Sequence, residues 1–113
     1  MIRAIGPIAI RMPVGMLEKG AVVESHEHTF DHVTYCFSGA FRIDAVVNGQ
    51  PVSTEIYSSR PGKPAQNHCT IKAGVAHSLT ALEDNSHYQC IYAHRDTLGE
   101  VVDHYTGWPK AYG

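Results

Sequence analysis

Residues 20–39 read GAVVESHEHTFDHVTYCFSG, and they decide the fold. On a β-strand, side chains two apart share a face, so His26 and His28 project together. Four residues after His28, across a bend at Thr29–Asp31, His32 opens a run dense in β-branched and aromatic residues. Its alternation puts Thr34 and Cys36 on the same face as His32. A His-x-His pair alone also fits a surface pair or satisfied core histidines. With a third imidazole returning to the same point, the stretch becomes a candidate nitrogen-rich metal site, suited to Zn, Cu, Ni, Fe or Mn.

Outward from that stretch, the chain reads as short strands divided by Gly, Pro and Asn. FRIDAVV at 41–47 alternates apolar with polar residues, Asn48-Gly49 follows at once, and VSTEIY resumes at 52–57. Asn-Gly between alternating runs is a strong hairpin signal, because both turn residues need positive φ. A proline- and glycine-bearing loop covers 58–67. Strand character returns at 68–72, 75–82 and 87–93, and GAVVESH at 20–26 reads as a further β-prone run. TLGEVVDHY at 97–105 has helical spacing weakened by Gly99. Many short strands at such intervals predict an all-β sandwich or barrel.

Composition narrows the field. The 113 residues suffice for one domain and not for two, with a core at about 15–94 and a tail at 95–113. A net charge of −2 offers no electrostatic attraction for nucleic acid or an anionic membrane. No stretch approaches the roughly 20 apolar residues of a membrane span or reads as a signal peptide. Cys36, Cys69 and Cys90 are odd in number and widely spaced, which fits free thiols in a reducing cytoplasm. Eight histidines against nine Lys plus Arg put the metal question first. His68, His87, His94 and His104 read as structural or solvent-facing. The aromatics Phe30, Tyr35, Phe37, Tyr88 and Tyr92 read as core or interface, one or two of them as pocket lining.

The stretch from Gly20 to Gly39 resembles the first motif of the cupin superfamily: Gly, five residues, His-x-His, three or four residues, Glu, six residues, Gly. Every spacing fits, and His32 stands where the family usually has Glu. The second family motif, Pro-x-Gly-x-x-His, is matched by Lys72-Ala73-Gly74-Val75-Ala76-His77, with Lys72 in place of proline. The resemblance implies a double-stranded β-helix, or jelly-roll barrel. It also implies one divalent transition metal (Fe, Mn, Ni, Cu or Zn) held by His26, His28, His32 and His77. The alternative for His32 is a polar neighbour of a three-histidine site.

Four neutral ligands around a divalent ion leave a site charge of +2, against +1 with a glutamate, which strengthens the Lewis acid. Two open positions on a six-coordinate ion would admit a small, oxygenated and anionic molecule. The expected activity is therefore a metal-dependent oxidoreductase of dioxygenase type. The alternatives are a non-catalytic metal- or ligand-binding cupin and a metal-dependent isomerase or lyase. The aromatic tail residues Tyr105, Trp108 and Tyr112 suggest a surface hidden in a homodimer.

Overall fold

A computed structural model describes residues 2–5, 7–24, 30–64 and 66–94, and all nine elements found among them are strands. They are β1 (Ile2–Ile5), β2 (Ile8–Arg11), β3 (Val22–Val23), β4 (His32–Ser38), β5 (Ala40–Val47), β6 (Gln50–Tyr57), β7 (His68–Ile71), β8 (His77–Ala81) and β9 (His87–Ala93). They form two antiparallel sheets, ordered β1-β2-β9-β4-β7 and β3-β8-β5-β6. This is the all-β barrel that the strand pattern predicts, in the jelly-roll form that the cupin resemblance implies. Among the described residues no helix is long and apolar enough to cross a membrane.

Sequence alternation becomes interior rungs through the strand register. Deepest lies a rung of Cys36 opposite Tyr88 and of Phe41 flanked by Ala81 and Ile56. The Phe41 and Tyr88 rings meet edge to face, with centroids 5.7 Å apart. Above it Thr34 sits between Cys69 and Cys90, and Ile43 between Leu79 and Thr54. The outermost rung pairs His32 with Ile71 and places Ala45 between His77 and Val52. Thus β4 and β8, strands of different sheets, each present a histidine at the same end of the barrel.

The β5–β6 hairpin closes through Asn48 and Gly49 at φ 52° and 77°, the left-handed pair a two-residue turn requires. Of the run expected at 20–26, Val22 and Val23 pair with Thr80 and Leu79, and residues 25 and 26 lie outside the described residues. The antiparallel pair β1 and β2 extends the five-stranded sheet, with β2 on β9. The expected helical run at 97–105, and His104, Tyr105, Trp108 and Tyr112, lie outside the described residues.

Candidate metal centre

His32 and His77 open β4 and β8, and both are buried. Their ring centroids are 5.1 Å apart, with the planes inclined at 44°. The Nδ1–H of His77 donates to the Val75 carbonyl at 3.0 Å. A carbonyl only accepts, so this bond fixes the tautomer and makes Nε2 the acceptor nitrogen of the His77 ring. Two imidazoles sharing an ion at about 2.0–2.1 Å would have centroids roughly 4.5–5.2 Å apart for ligand angles from square to tetrahedral. The pair fits that requirement.

Of the four histidines expected at a metal, the structure therefore brings together His32 and His77. His26 and His28 lie outside the described residues. Among the described residues no group of three or more His, Cys, Asp or Glu is arranged to hold an ion.

Asp31 has a role that its sequence context did not suggest. Its Oδ1 accepts the Ala73 N–H at 2.7 Å, and its Oδ2 lies 3.6 Å from the Lys72 ammonium. The Ala73 hydrogen bond, with help from Lys72, holds the carboxyl below its usual range. Asp31 immediately precedes His32, and Ala73 stands four residues before His77. The contact thus ties together the two loops that deliver the histidines. Only the paired fold makes that contact visible.

The inward alternation of Thr34 and Cys36 is as expected: both are buried beneath the histidine rung. Thr34 Oγ1 lies 3.6 Å from Cys90 Sγ. Cys36 donates its weak S–H to the Ser38 and Gly39 carbonyls at 3.3 and 3.4 Å. Burial pushes the Cys36 thiol up from 9.0 to about 11, and burial pushes Cys69 and Cys90 upward too. At neutral pH Cys36 is therefore a neutral wall residue. Of the other histidines, His68 is exposed beside Asn67, and His87 meets Phe37 edge to face at 5.7 Å. The His94 backbone N–H donates to Pro7. Phe30 stacks on Tyr92 at 4.8 Å.

The raised thiol predicts alkaline instability. Below pH 9 folded and unfolded chains both keep the Cys36 proton, so its contribution is fully present. Between about 9 and 11 the unfolded chain releases that proton more readily. Stability should fall across this window by roughly 2–3 kcal/mol, at about 1.4 kcal/mol per unit. Urea midpoints at pH 7, 9 and 11 should show the loss, and Cys36→Ala should remove the share due to Cys36 while leaving that of Cys69 and Cys90.

No family model matches the chain, and no curated protein matches it in sequence. Solved structures do. KdgF from Halomonas sp. superposes with a TM-score of 0.58 at 19% identity, over 85% of this chain and 79% of that one. Lactobacillus farciminis oxalate decarboxylase gives 0.59 at 19% identity, over 83% of this chain and 30% of the decarboxylase. The CENP-C cupin domain of Drosophila melanogaster gives 0.57 at 9% identity, over 77% and 59%. The chain spans less than a third of the decarboxylase and about three fifths of the CENP-C chain. Its fold is that of the cupin superfamily. At these identities the likeness speaks to fold alone.

Proposed function

We propose that this cupin holds one divalent transition metal (Fe, Mn, Ni, Cu or Zn) through His26, His28, His32 and His77. Its reaction is an oxidoreductase reaction of dioxygenase type on a small oxygenated organic molecule. The observation that carries the reading is the buried pair of His32 and His77, 5.1 Å apart, with His77 oriented by the Val75 carbonyl. The donor set fits such an ion, because neutral imidazole nitrogen suits these metals. When bound, the ion supplies a Lewis acid of undiminished +2 charge that polarises substrate oxygen. The protein's own part is to hold the imidazoles in one orientation, with Asp31 bracing the two loops, over a buried floor of Thr34, Ile43 and Leu79.

A second reading is a metal-dependent isomerase or lyase, because a Lewis acid that stabilises an enolate needs no redox change. Metal analysis followed by oxygen-uptake assays with small oxygenated acids separates the two. Oxygen consumption coupled to substrate loss supports the dioxygenase, and turnover unchanged under anaerobic conditions supports the lyase. A metal-loaded protein that turns over none of them would be a binding module, and a protein that retains no metal would overturn the reading. We further propose a cytoplasmic homodimer, on the strength of three free thiols and the aromatic tail. A monomer mass in light scattering would refute the dimer.

A further inference from the structure

Val47 and Val52 break the rule that inward-facing apolar residues are covered. They continue the interior alternation of Phe41, Ile43 and Ala45 on β5 and of Ile56 and Thr54 on β6. Phe41, Ile43 and Ile56 are at most 2% exposed, yet Val47 and Val52 are 40% and 47% exposed. A cavity of about 400 Å³ opens between the β5–β6 hairpin and β7, from the Ile43 rung out to Val47 beyond the histidine rung. That volume lies in the range of small-molecule sites.

Ile43, Ala45, Val47, Val52, Ile71 and Val75 make up half of its lining, and Asn48, Ser53, Thr54 and Thr70 supply neutral polar groups. Lys72 stands in its lining and is the one charged side chain among the described lining residues. No carboxylate is among the described lining residues. The counter-charge of Lys72 is Asp31, at 3.6 Å, and both side chains are more than half exposed. So loose a pair leaves the ammonium available to a second anion. Cys69, also in the lining, stays uncharged at neutral pH because burial raises its thiol.

We propose that this cavity binds the hydrocarbon or aryl body of a small monocarboxylate whose anionic end meets Lys72. An apolar wall with a single cation at its lip selects that chemistry over a neutral alcohol, which leaves the cation unanswered. It selects against a compact polar dianion too, which has no body to bury. The site adjoins the histidine pair, since Ala45 is cross-strand to His77 and Ile71 to His32. It requires the cavity and Lys72 and no metal, so it goes beyond the metal reading.

Calorimetric titration with hexanoate, hexan-1-ol and oxalate tests it, on the full-length protein as purified and again with a chelator present. Hexanoate should bind saturably in both conditions, about three- to fivefold tighter than hexan-1-ol, and oxalate should not bind with the chelator present. Lys72→Ala should remove the preference for the acid and leave the alcohol unchanged. Val52→Trp, at an exposed position, and Ala45→Leu, at its cross-strand neighbour, should each weaken both ligands at least tenfold by filling the cavity. Absence of saturable hexanoate binding would overturn the proposal, as would hexan-1-ol binding equally well or affinity indifferent to Val52→Trp and Ala45→Leu. Hexanoate binding only in metal-loaded protein would overturn it in favour of a ligand anchored on the ion. Binding that persists with the chelator supports it whatever becomes of the metal reading.

Discussion

Gly39→Ala is expected to cost about 3–5 kcal/mol of stability, from left-handed backbone strain plus overpacking. Gly39 sits at φ 71°, and a Cβ there would lie 2.2 Å from Ser86 Oγ and 2.8 Å from Ser86 Cα. Ser86 has no room to yield. It is fully buried, its Oγ accepts the Ala40 N–H, and that same oxygen lies 3.3 Å from the Ala40 carbonyl and 2.8 Å from the Glu83 carbonyl. The loss is a large fraction of the roughly 5–15 kcal/mol that holds a small domain. Gly49→Ala is the control: its φ is 77° but nothing lies within 4 Å, so strain alone should cost about 1–2 kcal/mol. Urea unfolding of both variants measures the difference. Equal losses would show that the contact with Ser86 contributes nothing.

His77→Ala should lower metal affinity at least about 100-fold, since even residues that merely orient a ligand are worth about 10–100-fold. His32→Ala should do the same if His32 is a ligand, whereas His32→Glu should keep the metal and reduce the site charge by one. Anionic inhibitors should then bind His32→Glu more weakly than wild type. His68→Ala, altering an exposed histidine on the outer side of β7, should change nothing. Chelator competition at one fixed pH is the measurement, because imidazole must shed its proton to bind and occupancy shifts with pH. Circular dichroism of each variant separates loss of a ligand from loss of fold. Unchanged affinity in His32→Ala would reduce the set to three histidines and remove the charge argument.

Among the strands that read most clearly were two buried on one face: FRIDAVV and HYQCIYA alternate, and they became β5 and β9 within one residue of the expected ends. VSTEIY, in which Ile56 alone is buried, was placed by the Asn48-Gly49 turn before it. Strands without that contrast were harder to read. Residues 2–11 carry Arg3, Pro7 and Arg11 among their apolar residues, and only Ala9 of the β2 side chains is buried. An edge pair has little to bury, so its pattern is faint. The glycine at 39 was legible as a motif position, but its collision with Ser86 joins residues 47 apart in sequence.

The same division holds at the site. Spacing alone made His26, His28 and His32 candidates, because the two-residue period of a strand is local geometry. That His77 stands beside His32 depends on Ala45 pairing with His77 in one sheet, Ile71 pairing with His32 in the other, and the two sheets packing face to face. Asp31 holding the Ala73 N–H, and the uncovered Val47 and Val52 beside Lys72, arise from the same pairings. The sequence by itself determined which residues face inward, since alternation is a property of one strand. Which of them meet, and where the barrel is left open, was decided by register and sheet packing, which no single stretch of chain contains.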